Sequence, residues 1–519
     1  EKLLENNAKK EINELYSIIH EIFNNSLFDT PKINEQYLTS EVCNTIAKSF
    51  NHNVSTGQLR LFDFRFDVLP VEFISYIYEV FLSEKQKKNG IYYTPKKLAQ
   101  LIVDDVIKED RIGSILDPSS GSGMFLITGY QRLLEIAQKQ KLEPQDSIGK
   151  IKFRTQLLSE NIFGIEKELT AQRFTLFSLS LQIFIGINPE EIKEFIAKEL
   201  KDNKKIDLFS EYSFFQNIKH ANTLNSSEKL FEENIFSYIV GNPPFFEIPN
   251  TSEFKNEISF LNSYQVSLRD GNKIPAKNIV RDAQISQCFF LKIKDWSNQN
   301  TRFGFVSNSS NFYYYEPFQN YFYANYGIEK VYELSRVKKI LFEKAKESVI
   351  VIIFTNNIQN ENIDYYPVDL GLFSEKPFEL LIIQEDKIIE INQTELVENK
   401  VRLRDYLVGN QFDLELIKSV DERSTAIVEF IKKRNNKTLF IHTGLQLAGV
   451  DVIIKEFGIT RETYNSNKKQ YLDKYTNKYS QPLKSEDFPT PIITSKSINN
   501  FVIEGINCYA NDISNFRRK

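Results

Sequence analysis

Hydrophobic residues recur with helical spacing in the N-terminal part of the chain. The first series predicts an amphipathic helix. It consists of Ile12, Leu15, Ile18, Ile19, Ile22 and Phe23. A second series lies beside Pro70, a residue favoured in the first turn of a helix. It consists of Leu69, Phe73, Ile77 and Phe81. We therefore predict a helical domain or connector over residues 1–89.

The pattern changes at Gly90, beyond which short apolar runs alternate with longer stretches of helical periodicity. Such alternation is typical of a parallel β-sheet covered by helices. The strands that it predicts are Ser114–Leu116, Ile162–Ile165, Phe236–Val240, Phe303–Val306 and Val349–Phe354. We therefore expect an α/β domain over residues 90–356.

The remainder of the chain predicts two further regions. Residues 357–433 mix short strands and helices without a chemical motif and are interpreted as a connector. Glycines and prolines then interrupt short β-rich runs, among them Gly444, Gly449, Pro482 and Pro489. This punctuation predicts that residues 434–519 begin a separate α+β domain.

Composition excludes several classes of protein. With 41% hydrophobic and 26% charged residues, most of the 519-residue chain is expected to fold. The cysteines Cys43, Cys288 and Cys508 are far apart and lack the spacing of a zinc site, so neither a disulfide framework nor a metal is indicated. The sequence shows neither a long apolar run nor a secretory pattern, so we expect a soluble, cytoplasmic protein.

The charge distribution is uneven, although the formal net charge is only −4. From residue 431 onward there are fifteen Lys and Arg and eight Asp and Glu, a net charge of +7 against −11 for the rest. A basic C-terminal part on an acidic protein favours DNA binding. A solvated, lysine-rich surface accounts equally well for the charge alone.

Residues 115–126 consist of an apolar strand, a glycine turn and the start of an apolar helix. Gly121 and Gly123 would let the backbone approach a small ligand closely. Asp117 at the strand end would suit a cationic amino group, and the absence of a following Gly-Lys-Ser/Thr argues against a phosphate site. A strand-to-helix junction without a ligand is the alternative.

A second predicted strand ends in Glu166. A carboxylate at that position can accept hydrogen bonds from both hydroxyls of a ribose. The alternative is a glutamate that faces solvent at the end of its strand.

The third element is a buried strand followed by Asn242, Pro243, Pro244 and Phe245. Because proline fixes φ, the Asn242 side chain and the Pro243 carbonyl can be held in one geometry. Two such acceptors can orient an aromatic amino group and stabilise the charge that develops on its nitrogen during alkylation. A rigid turn with a buried ring is the structural alternative, but all three elements follow strands whose carboxyl ends share one edge of the sheet.

Together these motifs resemble those of the gamma-class adenine-N6 DNA methyltransferases, in particular the large ones of Type IIG restriction-modification systems. The resemblance implies a Rossmann-like fold and S-adenosylmethionine as cofactor. The residues that it places around the cofactor are Tyr92, Tyr93, Thr94, Pro95, Asp117, Ser119, Gly121, Gly123, Glu166 and Asn222. Ser120 stands where cysteine is common in the family, and Asn222, which would meet the adenine amino group, stands where aspartate is more frequent.

The resemblance also implies that Asn242, Pro243, Pro244 and Phe245 act on an adenine turned out of double-stranded DNA. Phe342 is similar to the family residue that stacks on the other face of the base, although a core position explains it nearly as well. Thr443–Gly444 and residues 491–496 resemble the opening of a target recognition domain, which implies that residues 434–519 hold part of one.

Type IIG enzymes also carry a nuclease with a Glu-x-Lys pair. We interpret residues 253–255 and 385–387, which match that pattern, as surface charges, so any nuclease would lie in a domain or subunit outside this chain. Competing hypotheses are a methyltransferase for RNA or for a protein glutamine, and a catalytically inert DNA-binding subunit. We expect a site-specific adenine methyltransferase of a restriction-modification or related phage-defence system.

Overall fold

The computed structural model describes residues 6, 8–22, 32–34, 36–51, 94–107, 111–203, 213–231, 234–268, 271–342, 348–357, 362–370, 381–383, 388–398, 401–407, 415–416, 419, 445–447, 450–481, 490–492, 498–499, 502–503, 508–510 and 516–518. The chain divides into two compact units, Glu1–Leu414 and Glu415–Lys519. All candidate catalytic and cofactor-binding residues belong to the first unit.

A mixed β-sheet forms the centre of the first unit. The described strands of this unit are β1 (Ile115–Asp117), β2 (Ile162–Glu166), β3 (Ile218–His220), β4 (Tyr238–Gly241), β5 (Gln265–Ser267), β6 (Lys273–Pro275), β7 (Arg302–Asn308), β8 (Gly327–Glu333), β9 (Val349–Thr355), β10 (Asn362–Leu370), β11 (Leu381–Ile383) and β12 (Ile389–Asn392). Strands β5 and β6 pair with each other, and the other strands named here form the sheet. All five strands predicted from the sequence are present, within one or two residues of the expected bounds.

The described helices of this unit are α1 (Lys9–Ile22), α2 (Ser40–Asn51), α3 (Lys96–Val106), α4 (Met124–Lys139), α5 (Ser147–Asn161), α6 (Leu169–Gln182), α7 (Pro189–Asn203), α8 (Lys255–Ser263), α9 (Ile285–Lys292), α10 (Ser310–Tyr313), α11 (Glu316–Asn325), α12 (Lys338–Leu341) and α13 (Gln393–Val397). Helix α1 confirms the amphipathic helix predicted at the N-terminus, up to Ile22. The helix predicted around Phe73 lies outside the described residues.

The strand order is β11-β10-β8-β9-β7-β4-β1-β2-β3, with β12 also paired to β10. Strand β1 runs parallel to β2 and β4, and β4 runs parallel to β7. Strand β9 is antiparallel to both β7 and β8. The predicted α/β class with a Rossmann-like, mostly parallel sheet is confirmed.

Alternate residues of the central strands face opposite sides of the sheet, as the two-residue period of a strand requires. Ile115 and Val240 belong to one hydrophobic cluster, which also contains Phe125 of α4. Leu116 and Ile239 belong to the other, which also contains Phe290 of α9. Both faces are therefore covered by helices, which explains why the central strands are nearly continuous apolar runs.

The sheet extends beyond residue 356, where the sequence analysis ended the α/β domain. Strand β10 pairs in parallel with β8, and β11 and β12 pair with β10. Part of the predicted connector thus completes the sheet, because its β-strands satisfy the hydrogen bonds of an edge that the preceding strands leave open. The first unit ends at Leu414.

The second unit, Glu415–Lys519, contains helices and short strands. Its described helices are α14 (Val450–Phe457), α15 (Arg461–Ser466) and α16 (Lys468–Tyr479). Its described strands are β13 (Leu445–Leu447), β14 (Ser480–Gln481), β15 (Thr490–Ile492), β16 (Ile498–Asn499), β17 (Val502–Ile503), β18 (Cys508–Ala510) and β19 (Phe516–Arg518). Ile453, Tyr464 and Tyr475 form a small core. Thr443–Gly444 and residues 493–496 of the proposed recognition-domain opening lie outside the described residues.

Candidate active site

The candidate site lies where the strand order reverses. From β1 the chain moves outward through β2 and β3, and it then returns to place β4 on the other side of β1. The helical connections that follow β1 and β4 are thus directed to different sides, which opens a crevice at the carboxyl ends of these two strands. Ligands of open α/β sheets bind at this position.

The side chain of Asp117, at the end of β1, lies close to Gly241, at the end of the neighbouring strand β4. Asp117 is only 1% exposed, and its Oδ1 accepts a hydrogen bond of 2.9 Å from the backbone N–H of Ser119. A Cβ on Gly241 would lie 3.0 Å from Oδ1 of Asp117 and 3.3 Å from the ring of Phe305. Glycine at position 241 therefore allows the carboxylate to lie against the neighbouring strand.

The glycine turn after β1 contains two left-handed residues with different surroundings. Gly121 has a φ of +52°, and a Cβ there would meet no atom of the described residues within 4 Å. Gly123 has a φ of +87°, and its Cβ would lie 2.7 Å from Thr175 of α6. Gly123 is thus required for helix packing, whereas the backbone of Gly121 borders open space that a ligand can fill.

Glu166 connects the end of β2 to this turn. Its Oε2 accepts a 2.7 Å hydrogen bond from the backbone N–H of Gly121, and its Oε1 accepts one of 2.8 Å from Glu168. Two carboxylates from neighbouring strands therefore border the same glycine turn.

Burial perturbs both carboxyl groups. It raises the pKa of Asp117 to about 8, against the opposing backbone hydrogen bond from Ser119 and with a further increase from the Glu166 carboxylate. It raises the pKa of Glu166 to about 7, opposed by the backbone N–H groups of Glu168 and Gly121. Two carboxyls that are difficult to ionise together favour a ligand that brings positive charge or hydroxyl donors.

The loop after β4 is attached to the segment before α3. The amide nitrogen of Asn242 donates a 3.1 Å hydrogen bond to Oγ1 of Thr94, which is 8% exposed. Pro95 directly precedes α3, which packs against β7. Because the nitrogen makes this bond, the side-chain carbonyl of Asn242 is turned away from Thr94. Tyr92 and Tyr93 lie outside the described residues.

The aromatic candidates are packed in the core of the first unit. Phe245 is 6% exposed and Phe342 is 5% exposed, and both belong to the hydrophobic cluster that contains Val337. Pro243 is buried and Pro244 is half-buried. This packing is compatible with a structural role for both rings, so their stacking on a base stays a prediction.

Asn222 lies just beyond β3, where the backbone N–H of Ala221 donates to the carbonyl of Glu166. Its Nδ2 donates a 2.9 Å hydrogen bond to Glu257, a buried residue of α8 that also forms a 3.1 Å ion pair with Lys167. Glu257 is not predicted from the sequence, because it belongs to no motif and lies 35 positions from Asn222.

The structure thus brings together candidate residues that are distant in sequence. Thr94, Asp117, Ser119, Gly121, Gly123, Glu166, Asn222 and Asn242 lie at or beside the carboxyl edge of β1 to β4. Within the described part of the chain, no cluster of His, Cys, Asp or Glu could hold a metal ion. Of the helices described above, none is long and apolar enough to cross a membrane.

Comparison with known families decides the identity. The model of the N-6 DNA Methylase family matches residues 71–366, more than half of the 519 residues and all of β1 to β9. The chain belongs to the N-6 DNA Methylase family. The matched range includes every candidate catalytic and cofactor-binding residue named above.

Two curated members of restriction-modification systems resemble this methylase-family chain. The Type II restriction enzyme and methyltransferase RM.Eco57I of Escherichia coli is 26% identical over 230 residues, 35% of this chain and 22% of that protein. The Type I restriction enzyme MjaIX methylase subunit of Methanocaldococcus jannaschii is 26% identical over 201 residues, 38% of this chain and 26% of that protein. The matches thus span about a quarter of each relative's length.

Solved structures with a likeness to this N-6 DNA Methylase chain include the type IIG restriction endonuclease BpuSI. Its TM-score is 0.45 at 15% identity, with 94% of this chain and 50% of that chain covered. The type I methyltransferase subunit from Streptococcus thermophilus has a TM-score of 0.41 at 16% identity, with 65% of each chain covered.

Proposed function

We propose that this chain is the methylating part of a restriction-modification enzyme and transfers a methyl group from S-adenosylmethionine to N6 of an adenine in DNA. The observation that carries the proposal is the Asn242 loop, which Thr94 holds at the mouth of a crevice bordered by Asp117 and Glu166. Membership of the N-6 DNA Methylase family supports the same activity.

The residues of the crevice fit the proposed cofactor. The open space beside Gly121 accommodates a ligand that contacts the backbone, and Glu166 can accept hydrogen bonds from ribose hydroxyls. The buried Asp117 carboxylate suits the α-ammonium group of the methionine portion. When bound, the cofactor supplies an electrophilic methyl group on a sulfonium.

The Asn242 loop would supply the other half of the reaction. The exocyclic amine of adenine is a poor nucleophile because its lone pair is delocalised into the ring. If the Asn242 side-chain carbonyl and the Pro243 backbone carbonyl accept its two N–H bonds, the lone pair is directed at the methyl carbon. With the cofactor bound, the nitrogen would take the methyl group as the carbon–sulfur bond breaks. The two oxygens would stabilise the positive charge on nitrogen, which would then release one proton to solvent.

DNA is the substrate that the charge distribution favours. The basic C-terminal part, which carries a net charge of +7 from residue 431 onward, lies entirely within the second unit. The first unit, which ends at Leu414, is acidic and holds the candidate site. We propose that this unit contributes to recognition of double-stranded DNA and that any nuclease lies outside the chain.

Methylation with isotope-labelled cofactor tests the proposal. The purified chain is incubated with S-adenosylmethionine carrying a tritiated methyl group and with duplex DNA, RNA or a glutamine-containing release factor, and the products are digested and separated. We expect label in N6-methyldeoxyadenosine from DNA alone. Asn242→Ala should greatly slow its appearance, whereas Asn250→Ala, at an exposed position in the same segment, should not. Label in RNA, in protein or in cytosine would refute the assignment.

A further inference from the structure

The side-chain amide of Asn222 is held at both ends. Its Oδ1 accepts a 3.0 Å hydrogen bond from the backbone N–H of Leu224, and its Nδ2 donates a 2.9 Å hydrogen bond to Oε1 of Glu257. Asn222 is half-buried, whereas Glu257 is only 2% exposed. The orientation of an amide that borders the cofactor crevice is thus fixed by a residue from inside the protein.

Only one of the two oxygens of the Glu257 carboxylate has polar partners among the described residues. Oε1 receives both the Asn222 amide and the ammonium group of Lys167, which lies 3.1 Å away. The buried Oε2 has no hydrogen-bond partner among the described residues. Lys167 directly follows Glu166, the candidate ribose-binding residue, and its Nζ also lies 5.4 Å from the centroid of the Phe254 ring.

The chemistry of the pair determines which end of the amide faces Glu257. A carboxylate in an ion pair can only accept hydrogen bonds, whereas an asparagine amide has a donor end and an acceptor end. Glu257 therefore selects the NH₂ end, and the carbonyl oxygen is directed away from it. That oxygen has a second lone pair beyond the one used by Leu224, so it can accept a further hydrogen bond from a ligand.

We propose that Glu257 is a positioning residue that fixes Asn222 as an acceptor for the exocyclic amine of the cofactor's adenine. This inference rests on the proposed function. An aspartate at position 222 would present an acceptor in either orientation, whereas an asparagine does so only if a neighbour excludes the flipped amide. The Asn222–Glu257 pair thus performs with two residues what one aspartate would perform alone.

Two ligands that differ only at the amine position test this role. S-adenosylhomocysteine carries the amine, and S-inosylhomocysteine carries a carbonyl oxygen there, which an acceptor repels and a flipped amide would bind. We expect the wild-type chain to bind the adenosine form about tenfold more tightly in calorimetry, as one hydrogen bond of this type implies. Glu257→Gln removes the partner that can only accept, so the Leu224 N–H alone opposes the flipped amide, and the ratio should fall toward one.

A charge exchange provides the rescue. In the double variant Asn222→Asp with Glu257→Gln, a carboxylate faces the ligand and the glutamine donates to it, so the ratio should return to the wild-type value. Glu253→Ala, at an exposed position just before α8, should leave the ratio unchanged. A loss of stability alone would weaken both ligands equally and leave the ratio intact.

The outcomes separate this inference from the function on which it rests. A wild-type chain that binds neither ligand would contradict the proposed function. Tight binding without preference, an unchanged ratio in Glu257→Gln, or a double variant that folds but lacks the preference would overturn the role of Glu257 alone. If thermal unfolding shows that Glu257→Gln does not fold, the ratio of the double variant decides.

Discussion

At the scale of single residues, the hydrogen bond between Thr94 and Asn242 joins positions 148 apart and holds the amide at the mouth of the crevice. We expect Asn242→Ala to slow single-turnover methylation by on the order of a hundredfold or more, because it removes an acceptor for the reacting amine. Thr94→Val keeps the side-chain volume but removes the hydroxyl, and it should slow the same step by about tenfold.

The measurement uses DNA with 2-aminopurine at the target position, so that base flipping and methylation are observed separately. Thr155→Val is the matched control, since Thr155 is buried in α5 and its hydroxyl donates to the backbone of its own helix. If Asn242→Ala methylates at the wild-type rate, the amine is activated by other groups and the proposed mechanism must be abandoned.

The buried carboxyl of Asp117 predicts a pH dependence of stability. Its pKa is about 8 in the folded chain, above the ordinary value of 3.8, so between these values the folded state binds more protons than the unfolded state. This contribution therefore makes the chain less stable as the pH rises through that window. Asp117→Asn, which removes the charge, should raise the stability at pH 8 relative to wild type and change it little at pH 4.

Thermal unfolding of the ligand-free protein at several pH values measures this difference. Asp104→Asn serves as the control, because the side chain of Asp104 is 61% exposed. A wild-type chain and an Asp117→Asn variant with parallel stability profiles would show that the carboxyl is not perturbed in the folded state.

At the scale of elements, the turn between β1 and α4 contains two glycines with separable roles. An alanine at either position is strained by roughly 1–2 kcal/mol because φ is positive. Gly123→Ala also forces a Cβ to within 2.7 Å of Thr175, so it should reduce the melting temperature most. Gly121→Ala meets no atom of the described residues within 4 Å, so it should mainly weaken cofactor binding.

Calorimetry with S-adenosylhomocysteine, together with thermal unfolding, distinguishes the two effects. Gly186→Ala provides a further comparison, since Gly186 has a φ of +71°, no atom of the described part of the chain within 4 Å of an added Cβ, and no place in the candidate site. Equal losses of affinity in the Gly121 and Gly186 variants would show that backbone strain, rather than contact with the ligand, is responsible.

The predicted strands were those with strong local patterns. Strand β9, for example, is a continuous apolar run that is buried on both faces of the sheet. Strand β8 is not predicted from the sequence, because Lys330, which forms an ion pair with Asp105, interrupts its apolar run. Strand β10 contains Pro367 in the last residue pair that it forms with β8. Proline is uncommon within strands, so this residue also weakens the strand pattern of the sequence.

The same distinction applies to the candidate site. Residues at strand ends, such as Asp117 and Asn242, could be predicted because a motif follows an apolar run. Glu257 could not, because a glutamate near the start of a surface-like helix predicts solvent exposure. Its burial depends on the contacts with Asn222 and Lys167, which local sequence does not specify.

At the scale of the whole molecule, the two units predict separable functions. A chain that ends at Leu414 retains every residue of the candidate site and lacks the basic C-terminal part. We expect it to bind S-adenosylhomocysteine with the affinity of the full chain but to lose sequence-specific DNA binding. Calorimetry and DNA-binding titrations at fixed salt concentration provide the comparison.

Circular dichroism of the shortened chain is the control for retention of its fold. Methylation of the same DNA sites by this variant would show that target recognition does not depend on residues 415–519.

The strand order also has a consequence for biosynthesis. Strand β9 lies between β7 and β8, although the ribosome produces β7 and β8 first. These two earlier strands cannot pair with each other in the native arrangement and must await Val349–Thr355, whereas β1 and β2 are neighbours as soon as both have been made. A nascent chain that pauses before residue 349 would therefore expose one unpaired edge of β7 and both edges of β8. Synthesis of this short segment closes the two edges that flank it, which should lower the tendency of the chain to aggregate.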